Sequence, residues 1–217
     1  MSTPLFPNGV DERRSARKRR TILEAATTMF LRNGYRGTSM DEIAALAAVS
    51  KQTVYKHFAD KESLFSEIVT STVDEISEPV RDEVVKLEES GDVDADLRDL
   101  ARRQLAMVMQ PRVLQLRRLV IGEAGRFPEL GRTFHDRGPG RTIAALARLF
   151  ERLAARGVLQ LDDAHLAAEH FNWLVMSIPL NEAMLLGRDE PPAELERYAD
   201  AGVGVFLAAY RHADRAT

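Results

Sequence analysis

Cysteine is absent from the 217 residues of the chain. That absence excludes a disulfide framework, a thiolate nucleophile and any cysteine metal site, and it suits a reducing, cytoplasmic setting. Tryptophan occurs once, and aromatic residues make up only 6% of the chain. Long apolar runs are missing: the longest, residues 171–180, is broken by Asn172, Ser177 and Pro179 and is too short to cross a bilayer. No charged-then-apolar signal segment opens the chain, whose first ten residues include Pro4, Pro7 and Gly9. There is no GxSxG elbow, glycine-rich phosphate loop or HExxH pair, so no constellation supports an enzyme. His165, Glu169 and His170 lie close in sequence, but no third or fourth ligand accompanies them; neither a metal nor another cofactor is expected.

What is present is a globular composition, 45% hydrophobic and 29% charged. The net charge of −3 is unevenly spread. Residues 1–60 hold ten Lys/Arg against six Asp/Glu, and residues 61–217 hold twenty against twenty-seven. Six of the ten form one run: Arg13, Arg14, Arg17, Lys18, Arg19 and Arg20. A basic end on an acidic body suits contact with a polyanion there, while a solvated helix face with no partner is the plainer reading of the run alone.

The pattern is helical almost throughout, with no period-2 run bounded by turn residues. Ile22, Ala26, Met29 and Phe30 make one stripe of a helix over about 15–33, which Gly34 ends. Ser39 and Glu42 form a capping box for a second helix carrying Met40, Ile43, Ala44 and Ala47. After a break at Ala48-Val49, Ser50 caps a third helix over about 51–58 with Val54 and Phe58 inward. Asp60 caps a long fourth helix with a stripe from Leu64 and Phe65 to Ile76, Val80 and Val84, and Pro79 is expected to bend it. Further helices are expected over about 94–110, 112–125, 141–156, 162–186 and 192–212. Gly131 and Gly138-Pro139-Gly140 mark loops around a short segment with Phe134. The fold class is therefore all-α, with eight to ten helices.

Three short helices within 15–58, the last two tightly joined, have the dimensions of a helix-turn-helix unit. The outer face of its last helix offers Lys51, Gln52, Thr53, Tyr55, Lys56 and His57. Gln52 can reach a base edge, Lys51 a guanine or a phosphate, and the others suit phosphates. Thr38 and Lys61 stand at helix starts, where backbone N–H groups favour an anion.

The segments Thr38-Ser39-Met40-Asp41-Glu42-Ile43-Ala44, Val49-Ser50-Lys51-Gln52-Thr53-Val54-Tyr55-Lys56-His57-Phe58 and Asp60-Lys61-Glu62-Ser63-Leu64-Phe65 resemble the tetracycline-repressor (TetR/AcrR) family of bacterial regulators. Ala25, Ala26, Phe30 and Gly34-Tyr35 fit as well, so the resemblance spans about residues 15–65. The stretch from Leu119 to Leu130 is similar to the C-terminal domain of AefR-like members. The resemblance implies a homodimer with an N-terminal DNA-binding domain and a C-terminal domain for ligand binding and dimerisation. The expected division is a basic arm at 1–14, a helix-turn-helix domain at 15–62 and a ligand-binding and dimerisation domain at 63–217. With the resemblance, the basic run reads as phosphate-contacting, with Arg17 and Arg20 the named candidates.

In the larger domain, Phe127, Phe134, Phe150, Phe171, Trp173, Met107, Met109 and Met176 supply surface of the kind that lines small-molecule pockets, and each also suits ordinary core packing. Arg103, Arg117, Glu123, Asn172 and Asn181 lie on or beside apolar faces where they could orient a polar ligand group. The last two helices are the expected dimer surface. The first is apolar on more than one side, and Gly202-Val203-Gly204 in the second costs about 1 kcal/mol of helix stability per glycine, a loss that close helix approach would offset. An intramolecular hairpin is the alternative. The sequence thus reads as a cytoplasmic, homodimeric regulator, a repressor released from a palindromic DNA operator by a small apolar or amphipathic effector. A helical small-molecule-binding protein or enzyme without DNA function, or a module whose basic arm meets a membrane surface, are the rival readings.

Overall fold

The structure, a computed structural model, describes residues 9–86, 91–188 and 190–212, with backbone alone for 9–11 and 76–86. Ten helices run through these residues: α1 Gly9–Asn33, α2 Met40–Leu46, α3 Lys51–His57, α4 Lys61–Lys86, α5 Val93–Val108, α6 Pro111–Glu123, α7 Pro128–Arg137, α8 Pro139–Ala155, α9 Ala164–Leu186 and α10 Pro192–Tyr210. The chain divides into two compact units, Met1–Ser71 and Thr72–Thr217, so the division falls inside α4.

Three expectations need correction. First, α1 begins at Gly9 rather than near Ser15, so residues 9–14 are helix rather than an arm. Nothing between Val10 and Asn33 breaks a helix, and the Arg, Lys and Glu residues there favour one. Second, Gly131 lies inside α7, which is held by buried Leu130. Third, Pro139 and Gly140 open α8 instead of forming a loop, because proline at a first helical position lacks only an N–H that would be unpaired there. α4 runs on through Pro79 rather than ending there, and the side chains of Ile76, Val80 and Val84 lie outside the described residues.

In the N-terminal unit, Ile22, Ala26 and Phe30 of α1 are buried against Ile43 and Val54 of α2 and α3. The Phe30, Tyr35 and Phe65 rings close the unit, with centroids 5.1–5.8 Å apart. The capping box forms as expected: Glu42 N–H donates to Ser39 Oγ, and Ser39 N–H donates to Glu42 Oε2 at 2.9 Å. The Ser39 hydroxyl also donates to Glu42 Oε2 at 2.7 Å, and that bond first, then the one from Ser39 N–H, holds the Glu42 carboxyl below its usual range. Between α2 and α3, Ala48 takes the left-handed conformation with φ 52°, rare for a residue with a Cβ.

In the C-terminal unit, α9 packs between α8 and α10, and α10 also packs on α5. The Phe150, Phe171 and Phe206 rings meet at its centre, with centroids 4.8–5.6 Å apart. An ion pair and a hydrogen bond fasten α10 to α5: Arg102 grips the Asp200 carboxylate through Nε and Nη2, both at 2.8 Å, and Arg98 donates to the Asp200 backbone carbonyl.

The two glycines of α10 do different things. A Cβ on Gly202 would lie 2.8 Å from the Leu174 carbonyl oxygen, so Gly202 serves the close approach of α10 to α9 within one chain. A Cβ on Gly204 meets nothing within 4 Å. Gly202→Ala should therefore destabilise the protein by about 1–3 kcal/mol through overpacking, while Gly204→Ala should stabilise it by up to about 1 kcal/mol. Urea titrations of the two variants check this; equal effects would contradict the assignment.

Candidate nucleic-acid interface and ligand cavity

The recognition helix is built by local rules. Ser50 caps α3, its Oγ accepting from Thr53 N–H at 3.2 Å. Val54 and Phe58 are buried, which fixes the rotation of the helix. At 100° per residue, Gln52 then sits opposite Val54, at the middle of the outward arc, flanked by Tyr55 and Lys56. Lys51, Gln52, Tyr55 and Lys56 are exposed; Thr53 and His57 are half-buried. Lys51 Nζ pairs with Asp41 at 2.8 Å, which pushes its pKa up and ties α3 to α2. His57 is held below the usual imidazole range, first by partial burial and then by Arg19, Lys56 and Lys18.

Basic groups gather on both edges of α3. Arg14 and Lys18 of α1 share a hollow with Thr53, Lys56 and His57. On the other edge, Arg36 shares a shallow hollow with Lys51, Tyr55 and Lys61. Arg14 and Lys18 were named from sequence only as members of the basic run, and Arg36 was not singled out. The first two, four residues apart and one turn before Ile22, could have been found by projecting the basic run onto the helix.

Other expected contacts are placed differently. Thr38 is 2% exposed, and its hydroxyl lies 2.9 Å from the Gly34 carbonyl and 3.1 Å from that of Met29, so it seals the end of α1. Lys61 Nζ donates to the Tyr35 and Thr38 carbonyls at 3.0 and 2.9 Å and lies over the Tyr35 ring. Its ammonium braces the loop before α2 rather than standing free at a helix start. Arg20 bonds Glu24 at 3.0 Å and, two residues from buried Ile22, lies on the far side of α1; Arg17 is exposed.

The C-terminal unit encloses a narrow cavity of about 60 Å³. Of the residues expected at a pocket, Met107, Arg117, Phe134, Asn172, Trp173 and Met176 line it. Val73, Gln104, Val108, Val113, Gly138, Pro139, Thr142 and Leu180 complete the wall. Gln104 was legible as the polar member of the buried face made by Leu97, Leu100, Ala101 and Leu105. Phe150 and Phe171 do not line the cavity: both are fully buried in the aromatic centre of the core, because their helix faces meet α10. Met109 is also in the core. Arg103 lies in an open surface groove beside Ala106, Pro192 and Glu196. Glu123 and Phe127 are outside the wall, Phe127 being buried at the start of α7 beneath Arg126. Asn181 is exposed and donates to the Ser177 carbonyl.

Inside the cavity, Gln104 Nε2 donates to Asn172 Oδ1 at 3.0 Å, while Gln104 Oε1 and Arg117 Nε are sealed from solvent without a hydrogen-bond partner. The Arg117 guanidinium lies 5.3 Å from the Phe134 ring centroid. Burial pushes the Arg117 pKa down, and no acid among the described residues offsets it. His165 and Glu169 are 3.9 Å apart and His170 bonds Tyr210, and no group of three His, Cys, Asp or Glu able to hold a metal occurs among the described residues.

Comparison with known proteins matches residues 95–212 to the AefR-like transcriptional repressor C-terminal domain and residues 22–68 to the bacterial regulatory proteins of the tetR family. The chain belongs to the TetR family. A TetR-family regulator from Mesorhizobium loti MAFF303099 shares 47% identity and a TM-score of 0.86, over 91% of this chain and 98% of that one. The flavonoid-responsive regulator FrrA shares 34% identity and a TM-score of 0.71, over 93% of this chain and all of that one. The uncharacterised HTH-type regulator YhgD of Bacillus subtilis is 46% identical over 61 residues, 28% of this chain and 32% of that protein. Among curated relatives the match spans about a third to a half of their length. Like other TetR-family members, the protein is a DNA-binding transcriptional regulator with a helix-turn-helix, not an enzyme. No helix among the described residues is long and apolar enough to cross a membrane.

For a TetR-family recognition helix with this rotation, Gln52→Ala should cost about 1–3 kcal/mol on the operator and relax preference at one base pair. Tyr55→Phe should weaken operator and random DNA by similar factors. Anisotropy on both duplexes separates the two; an equal loss on both from Gln52→Ala removes it as a base reader.

Proposed function

We propose that the protein is a cytoplasmic, homodimeric repressor released from a palindromic operator by a small apolar or amphipathic effector that occupies the C-terminal cavity. The observation that carries this reading is the cavity itself: an apolar enclosure with a few convergent polar groups, in the unit that does not hold the recognition helix. Its volume of about 60 Å³ is well below the roughly 300–1,000 Å³ of drug-sized sites. An effector must therefore push walls apart, and Met107 and Met176 are the side chains that yield most easily. Occupancy that favours the opened form disfavours the closed one, and operator affinity changes by that difference. α4 supplies the route: Val73 lines the cavity, and Leu64 and Phe65 at the start of the same helix are buried in the N-terminal unit.

Support for the dimer comes from α9, where Leu166, Leu174, Ile178 and Leu185 expose apolar surface, with Val205 of α10 also exposed. Two recognition helices roughly 34–36 Å apart then meet successive major grooves. Contacts by Lys51, Gln52, Thr53, Tyr55, Lys56, His57 and Arg17, joined by Arg14, Lys18 and Arg36, make up the proposed DNA face.

The test is anisotropy against the protein's own upstream DNA and a scrambled duplex across a salt series. Operator binding tighter by about a thousandfold or more, with a steep salt slope on both duplexes, is expected. Equal binding to both would defeat sequence-specific regulation of that site. An effector found to bind the cavity yet leave operator affinity unchanged would defeat the release mechanism.

A further inference from the structure

Two buried polar atoms on residues of the cavity wall lack partners. Arg117 Nε carries an N–H that donates to nothing, and Gln104 Oε1 accepts from nothing, although both are sealed from solvent. Around them, Phe134 lies against the guanidinium, Asn172 Oδ1 takes the Gln104 amide N–H, and the Thr142 hydroxyl and the Asn172 amide are the other side-chain polar groups of the wall. Arginine presents a rigid fork of donors and stays charged, so a guanidinium on the wall of an apolar cavity, with no carboxylate against it among the described residues, is a ready receptor for an anionic oxygen. Phe134 accounts for the ring face of Arg117 but leaves the in-plane Nε–H unmet. Apolar filling by a neutral hydrocarbon would leave both orphaned atoms unpaired.

We propose that the effector is an amphipathic organic monoanion whose carboxylate, or comparable anionic oxygen, pairs with Arg117, whose apolar body lies against Phe134, Trp173, Met107 and Met176, and which carries a hydroxyl or N–H donating to Gln104 Oε1. This assignment rests on the reading of the cavity as the effector site. It separates two functions on one wall: the methionines and aromatics set the size and shape accepted, and Arg117 sets the charge. A neutral analogue of the same body enters but loses the interaction worth most in a dry site.

Trp173, the chain's single tryptophan, lines the cavity and reports its occupancy by fluorescence. The probes are hydrocinnamate, its para-hydroxy derivative and hydrocinnamyl alcohol, whose slender bodies suit the narrow cavity. Each is titrated into the native protein and the Arg117→Met, Arg117→Lys and Gln104→Leu variants, with calorimetry for affinity and thermal melts to verify folding. The native protein should bind the carboxylate at least about tenfold tighter than the alcohol, a difference of about 1.4 kcal/mol. Arg117→Met should abolish that preference while the alcohol still binds, and Arg117→Lys should retain part of it. The para-hydroxyl should strengthen binding to the native protein and not to Gln104→Leu. Should the alcohol bind as tightly as the carboxylate, or the preference survive in Arg117→Met, the anion assignment falls while the cavity reading stands. Failure of all three probes to bind or to change Trp173 fluorescence overturns the cavity reading and the assignment with it.

Discussion

Replacing Phe206 with alanine should lower stability by about 3–5 kcal/mol, the range for removing a large ring from a packed core. Phe206 is 0% exposed and touches three rings: Phe150 and Tyr210 with centroids 4.8 Å away, and Phe171 at 5.2 Å edge-on. It comes from α10, as does Tyr210, and its other two partners come from α8 and α9, so one deletion loosens three helices at once. Ring pairs add to area burial when offset or edge-on, which places this substitution toward the upper part of that range. Urea denaturation followed by circular dichroism measures the loss. A value below about 1 kcal/mol would mean that the core closes over the gap and that Phe206 is not its keystone.

Placing aspartate at both Ile178 and Leu185 should produce a monomer and weaken operator binding by about a hundredfold or more, since the second half-site no longer binds within one complex. Both side chains are exposed, at 53% and 79%, and stand seven residues apart on α9 with Leu174 one turn before Ile178. Neither contributes to the core, so the fold should survive the substitutions. Sedimentation at micromolar concentration and anisotropy on operator and half-operator duplexes give the two readouts. If the native protein sediments as a monomer, or the double variant remains a dimer with full operator affinity, this face of α9 is not the dimer surface.

Where the sequence was readable, the deciding interactions were local. Ser39 with Glu42, Ser50 with Thr53 and Asp60 with Ser63 are caps closed over three residues, and each forms where its residue types predict it. The inward positions Val54 and Phe58 follow from the same short period. Thr38 and Lys61 were not readable as structural residues, because their carbonyl partners lie up to 26 positions away and are chosen by how the chain turns after Gly34. Phe134 and Phe150 are equivalent as letters, each an aromatic near a helix start or middle. Only the placement of α10 decides that one faces a cavity and the other a core. The glycines misled for a related reason: Gly131 and Gly140 resemble loop markers, and tertiary packing of α7 and α8 overrides their low helix propensity.

The long reach between α5 and α10 bears on how the molecule is made. Arg98 finds its carbonyl partner 102 residues further along, and Phe206 of α10 meets a ring 56 positions before it in the chain, that of Phe150. In the N-terminal unit, by contrast, α1 to α3 meet one another within some fifty residues. Local contacts close early and distant ones late. On the ribosome the DNA-reading unit therefore gains its shape while the C-terminal unit is still being synthesised, and the latter cannot seal until α10 has emerged. A chain stopped before α10 would keep its recognition helix and lose the core that holds the cavity together.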